Sequence, residues 1–244
     1  MALSENLIVL TRAHEDNQAL RVRLEHAGVR VLEVPTAQFA DVALTDDHRR
    51  YLETCDAVTF ASAHAVAAFA RQLSADEVRG IHCLVAAVGP TTTAALERIG
   101  LPAALTAQTP STGHALAELL SARLNHPSRV LVVQARQSQP ELVDLLRAAG
   151  HEVYVAVVYE NVEPLAPTAE LRAEMARAQA IYLAAPSAAD RLLAWAPDLR
   201  DRPLVAIGGT TAAALRDKHG IQPAAQAASP DLADVTAALL SLCA

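Results

Sequence analysis

The chain has 244 residues, a formal net charge of −7, 52% apolar residues and only 3% aromatics. That length allows one large domain or two small ones, with a core packed mainly from Ala, Val and Leu. The negative balance excludes a general nucleic-acid or membrane-surface binder, because counterion release needs a basic face; a local basic pocket is compatible with it.

The first stretch, MALSENLIVLTRAHED, has no basic start followed by a long apolar core, so no signal peptide is read and a cytoplasmic protein is expected. No apolar run reaches the ~18 residues that span a bilayer. A strand is expected over 7–10, a helix over 15–27 and a strand over 30–35. Strands over 57–61 and 83–88 then alternate with helices over 63–72 and 91–99. A helix over 112–124 leads to strands over 129–135 and 152–160, separated by a helix over 140–149. Strands over 180–184 and 203–208, with helices over 187–195, 210–218 and 231–242, complete the series. Such alternation predicts parallel sheets with helices on both faces. Several of the strands are apolar throughout, as a sheet covered on both sides requires. Gly28, Gly100, Gly150 and Gly220 each follow a helical run and read as left-handed helix stops.

The chain repeats itself. DAVTFASAHAVAAFA (56–70) is followed by LVAAVGPTTTAALERIG (84–100), and QAIYLAAPSAADRLLAW (179–195) by PLVAIGGTTAAALRDKHG (203–220). Each unit reads strand, helix, strand, glycine turn, helix. A period above 100 residues means two similar domains rather than a solenoid. The segment 129–160 resembles the N-terminal strand–helix–strand, so the segment order permits the second domain to be inserted into the first, without forcing it. Domain 1 is expected over 1–36 plus 162–244 and domain 2 over 37–161, joined by two connecting strands near 35–38 and 159–163.

Both glycine turns place threonines at a helix start: Gly89 with Thr92, and Gly208 with Thr211. Free N–H groups and the helix dipole favour anions there. Plain N-capping by Thr explains either turn alone. Two matched turns at carboxyl ends of strands point further, because open α/β sheets bind ligands at that edge. No dinucleotide fingerprint, P-loop, nucleophile elbow or zinc-protease motif is present. The nine histidines lack metal-ligand spacing, and no metal is expected. His64, just after Ser62 on a strand-to-helix turn, is the one that stands out. Cys55, Cys83 and Cys243 are odd in number and far apart, and read as core or tail thiols.

An ordered set of short motifs then resembles the uroporphyrinogen-III synthase family over residues 7–240. It comprises Thr11-Arg12 after the first strand, TFAS at 59–62, Val88-Gly89 with Thr92, Val158-Tyr159-Glu160, and Ile207-Gly208 with Thr211. The resemblance implies two α/β domains with the active site in a cleft between them. It implies a reaction in which hydroxymethylbilane loses water and closes with ring D inverted through a spiro-pyrrolenine, in tetrapyrrole (haem) biosynthesis. It implies no metal and no organic cofactor, a small-molecule linear tetrapyrrole as partner, no nucleic acid, no membrane, and a monomer.

By the same resemblance Tyr159 donates a proton to the departing hydroxyl. Arg12, Ser62, Gly89, Thr92, Ser187, Gly208 and Thr211 bind substrate carboxylates. Because the pyrrole is itself the nucleophile, the protein need only fold the substrate, hold its carboxylates and help water leave. The chain departs from the family pattern at Ala185, where a serine is expected, with Ser187 two residues on. It departs again at Gln134-Ala135, where an arginine and a glycine are absent; Arg136 either replaces the charge or points to solvent. These losses keep a second reading open: a non-catalytic relative that binds a tetrapyrrole or other polyanion as a regulator. A two-lobed periplasmic-type binding protein is a third, weaker reading.

Overall fold

The computed structural model describes residues 6–108 and 111–243. The chain divides into two compact units, Met1–Gln38 with Val162–Ala244, and Phe39–Asn161. Both are α/β with parallel sheets flanked by helices.

In chain order the elements are β1 (Leu7–Leu10), α1 (His14–His26), β2 (Arg30–Glu33), β3 (Gln38–Asp41), α2 (Asp46–Thr54), β4 (Ala57–Phe60), α3 (Ala63–Ala70), α4 (Ala75–Arg79), β5 (Leu84–Ala87), α5 (Pro90–Arg98) and β6 (Leu105–Thr106). Then come α6 (Gly113–Leu124), β7 (Arg129–Ala135), α7 (Glu141–Ala148), β8 (Glu152–Val162), α8 (Ala169–Met175), β9 (Ala180–Leu183), α9 (Pro186–Trp195), a 3-10 turn (Pro197–Asp201), β10 (Leu204–Ala206), α10 (Gly209–His219), β11 (Ala225–Gln226) and α11 (Leu232–Leu240).

The first unit's sheet runs β11-β10-β9-β1-β2, and the second's runs β3-β8-β7-β4-β5-β6. From β8 to β6, and throughout the first sheet, the recorded pairings are parallel. The two orders correspond strand for strand if β8, β7, β4, β5 and β6 are matched to β2, β1, β9, β10 and β11. The repeat read in the sequence is therefore a repeat of topology.

Apolar runs in the strands follow from burial on both faces. In β4, Val58 and Phe60 join the core cluster under α3 and α5, while Ala57 joins the cluster under α6 and α7. In β1, Leu7 and Val9 face one core of the first unit and Ile8 and Leu10 the other. The four expected helix-stop glycines all have positive φ, from 65° at Gly220 to 89° at Gly150. Gly220 closes α10 in the left-handed region, where a Cβ is strained.

Elements the sequence hid are short or polar. α2 buries only Tyr51, so no apolar stripe announces it. It is set by its cap: Thr45 Oγ1 accepts from His48 N, and the His48 ring accepts from Thr45 N. No helix among the described residues is long and apolar enough to cross a membrane.

Candidate active site

In the second unit, β4 and β5 end side by side, because Phe60 pairs with Ala87. Ser62 follows β4 as the N-cap of α3, with φ −165° and ψ 160°, and its Oγ accepts from Ala65 N at 3.0 Å. Gly89 follows β5 as the N-cap of α5, with Pro90 in the first helical position. Tyr159 comes from β8. Gln134 pairs with Val157 and Ala135 with Tyr159, so Val158 is an extra residue in a bulge. Strict alternation would aim Tyr159 toward the α6/α7 face; instead it packs against the α3/α5 cluster, together with Ala156 and Val158.

The bulge thereby brings the Tyr159 hydroxyl to 3.2 Å from Ser62 Oγ. Both residues are half-buried. Phe39 meets the Tyr159 ring edge-on at 5.5 Å between centroids and lies 4.4 Å from the His64 ring. Sequence reasoning missed Phe39 and assigned His64 no role; neither carries a motif, and only the pairing of β3 with β8 brings Phe39 beside the tyrosine.

The two glycine turns differ in a way their sequences conceal. Gly89 has φ 179° and Gly208 φ −179°, extended values that any residue adopts. A Cβ on Gly89 would lie 2.7 Å from Ser111 Oγ and 2.8 Å from Ser111 Cβ, whereas a Cβ on Gly208 would meet nothing within 4 Å. Both glycines are N-caps, where Ala is disfavoured, so Gly89→Ala is expected to lose about 1–3 kcal/mol more than Gly208→Ala in a denaturant titration. Equal losses would contradict the difference in packing.

Thr92 and Thr211 occupy the third helical position in α5 and α10 and are 3% and 2% exposed. Neither helix start carries a side-chain cap hydrogen bond, so plain threonine capping does not explain these residues. Thr93, next to Thr92, bonds Gly89 O at 3.3 Å and Thr106 Oγ1 at 2.7 Å.

In the first unit, β1, β9 and β10 are adjacent, and their carboxyl ends carry Thr11-Arg12, Ala185 and Gly208. Thr11 is buried and donates to Tyr182 O at 2.6 Å, and its own carbonyl accepts from Thr36 Oγ1 at 2.9 Å. This anchors the strand end from which Arg12 projects. The Arg12 guanidinium is 3.6 Å from Asp16, and Arg12 O accepts from buried Asn17 Nδ2 at 3.1 Å. Burial raises the pKa of the Tyr182 phenol, and the neighbouring Arg12 opposes that shift.

Ala185 caps α9 with φ −160° and ψ 158°, nearly the backbone of Ser62, but with no side chain to accept a hydrogen bond. Ser187 is exposed one position after Pro186 and does not replace it. Ala188 N already donates to Ala185 O at 3.1 Å, so Ala185→Ser would offer that N–H a second acceptor and raise stability by less than about 1 kcal/mol; a lower midpoint in urea would rule this out. Arg136 is paired with Glu160 at 2.5 Å.

Every residue expected to bind or react, apart from Ser187, thus sits at the end of a parallel strand, in its bulge, or at the helix start that follows, which is where open α/β sheets hold ligands. Ser62 and Tyr159 touch directly; Gly89 and Thr92 open the neighbouring helix on the same face. Arg12, Gly208 and Thr211 belong to the corresponding edge of the first unit.

Fold and site define a two-unit α/β protein with a hydroxyl pair and anion-suited helix starts. The family described as uroporphyrinogen-III synthase HemD matches residues 18–237. The chain belongs to the uroporphyrinogen-III synthase family, cyclising lyases of tetrapyrrole biosynthesis, and that membership supports synthase function in haem biosynthesis. Among solved structures, the uroporphyrinogen-III synthetase of Helicobacter pylori is 22% identical and covers 97% of this chain and 99% of its own, with a TM-score of 0.67. A mutant uroporphyrinogen III synthase of the extremely thermophilic bacterium Thermus thermophilus is 19% identical and covers 97% of this chain and 98% of its own, with a TM-score of 0.58. No curated protein matches the chain.

Proposed function

We propose that the chain closes hydroxymethylbilane to uroporphyrinogen III, with Tyr159 as the acid that releases the hydroxyl. The observation that carries this reading is the 3.2 Å contact between Tyr159 and Ser62. With Ser62 Oγ accepting from Ala65 N, we assign its own proton to the tyrosine oxygen. Ser62 then donates to the phenol, and the phenolic proton is free to point at substrate. A hydrogen bond into the oxygen also steadies the phenolate as it forms.

The steps balance without any other group. The Tyr159 proton passes to the hydroxyl oxygen as the C–O bond breaks, the bond pair leaves with water, and an azafulvenium cation remains. The substituted carbon of ring D attacks it, and a spiro intermediate rearranges with ring D inverted. The proton lost on rearomatisation returns to Tyr159. Arg12 holds one carboxylate by a bidentate contact. Backbone N–H groups at the starts of α5 and α10, beginning at Gly89 and Gly208, hold others, with Thr92 and Thr211 shaping those turns and Ser187 offering a hydroxyl at the start of α9.

The working form proposed is a cytoplasmic monomer without a nucleic-acid partner; the net charge of −7 supports the last point. The rival reading, a non-catalytic tetrapyrrole binder, draws on Ala185, which lacks the hydroxyl that Ser62 has at the same backbone position. Incubating purified protein with hydroxymethylbilane separates the two. Isomer III supports the synthase, and tight binding with only isomer I supports the regulator.

A further inference from the structure

Two of the three cysteines, far apart in sequence, meet. Cys55 closes α2 and stands two residues before β4; Cys83 stands immediately before β5. They lie at the amino ends of neighbouring parallel strands, the edge of the sheet opposite Ser62 and Gly89. Leu84 N donates to Asp56 O at 3.0 Å, which fixes the backbones beside each other. The two sulfurs are 3.6 Å apart, and Cys55 Sγ also lies 3.4 Å from Leu52 O. Neighbouring strands run about 5 Å apart, and a disulfide spans Cα atoms about 4.4–6.8 Å apart. Bond formation therefore needs side-chain rotation and no change of strand pairing.

We propose that Cys55 and Cys83 are a modification site: a dithiol that closes to a reversible intrachain disulfide by exchange with a low-molecular-weight disulfide such as oxidised glutathione. The Cys83 thiolate attacks one sulfur of the external disulfide and expels the first small thiol. The Cys55 thiolate then attacks the Cys83 sulfur and expels the second. Two protein thiols are oxidised, one external disulfide is reduced to two thiols, and the two protons leave on those thiols.

The order follows from the surroundings. Cys83 is the more exposed of the two, while Cys55 is 8% exposed. The Cys55 thiol points its proton at Cys83, which lowers the pKa of Cys83 and, with burial, raises that of Cys55. Once Cys83 is in a mixed disulfide, its thiolate no longer holds the Cys55 proton. Cys243 belongs to the other unit, and burial raises its pKa, so it reacts with the external disulfide more slowly than Cys83.

Closure joins positions 28 residues apart and encloses β4, Ser62, α3 and α4. Restricting that loop in the unfolded chain stabilises the second unit.

The full chain is treated with oxidised glutathione, remaining thiols are alkylated in denaturant, and the mass is read. The expected product is a monomer two hydrogen atoms lighter. It carries one alkylated thiol, at Cys243, and a linked Cys55–Cys83 peptide pair that dithiothreitol separates, and it unfolds several degrees higher than the reduced chain. Cys55→Ala should stop at a stable glutathione adduct on Cys83. Three free thiols after prolonged exposure, a glutathione adduct persisting on the unsubstituted chain, or a dimer linked through Cys243 would each overturn the proposal. The mapping uses the unsubstituted protein, so it does not depend on the variant folding.

Discussion

Tyr159→Phe is expected to slow formation of uroporphyrinogen III about 100-fold, the lower end of what a positioned acid contributes. The change removes one oxygen and keeps the ring that Phe39 contacts edge-on. Ser62 keeps its bond to Ala65 N, so α3 remains capped. On the proposed roles KM should change little, with the phenol acting where the hydroxyl departs and the carboxylates held elsewhere. A fall in kcat with steady KM identifies an interaction made in the transition state. An unchanged rate of isomer III formation would move the proton donor to another group. A raised KM with unchanged kcat would make Tyr159 a binding residue only.

Phe60→Ala is expected to destabilise the protein by about 3–5 kcal/mol, read as a lower urea midpoint. Phe60 is fully buried at the end of β4 and meets Phe69 of α3 edge-to-face at 5.2 Å. Such an aromatic pair adds roughly 0.5–1.5 kcal/mol to the area it buries. Five alanines, Ala65, Ala68, Ala87, Ala95 and Ala156, share its cluster. Small neighbours cannot swell to refill a phenyl-sized void, so the cavity persists. Total stability is only about 5–15 kcal/mol for a typical protein, and a loss of this size is a large part of it. Ser62 lies two residues on, so synthase activity should fall before global unfolding is reached. A loss under about 1 kcal/mol would mean that the core collapses around the gap.

The fold was legible where burial dictates composition. LIVL, AVTF and RVLVVQA have only one environment that suits them, a sheet covered on both faces, and the structure places them there as β1, β4 and β7. β6 and β11 have two residues each, and no periodicity exists in two residues. β3 is half-exposed and follows an irregular link, so its pairing with β8 depends on the rest of the sheet.

The site was legible as a set of residue types at turns, less so as contacts. Ser62 is readable from TFAS, because a serine after an apolar strand is a helix cap. That it reaches Tyr159 depends on one extra residue in β8, and a β-bulge leaves no mark in a run such as VAVVYE. The equivalence of Ala185 with Ser62 shows in the repeat, and the matching φ and ψ turn it into a lost cap. The matched glycines suggested one role; space distinguishes them, since Ser111 crowds Gly89 alone. The sequence places Thr92 and Thr211 at helix starts; that the inward face of the first turn buries both is visible only in the structure.

Whether this chain directs ring closure or merely binds the linear tetrapyrrole is read from the product isomer. Purified protein is mixed with freshly generated hydroxymethylbilane, the product is oxidised, and the isomers are separated. Isomer III is expected in excess, in proportion to enzyme added and faster than spontaneous closure. Isomer I alone, at the rate seen in buffer, would contradict it.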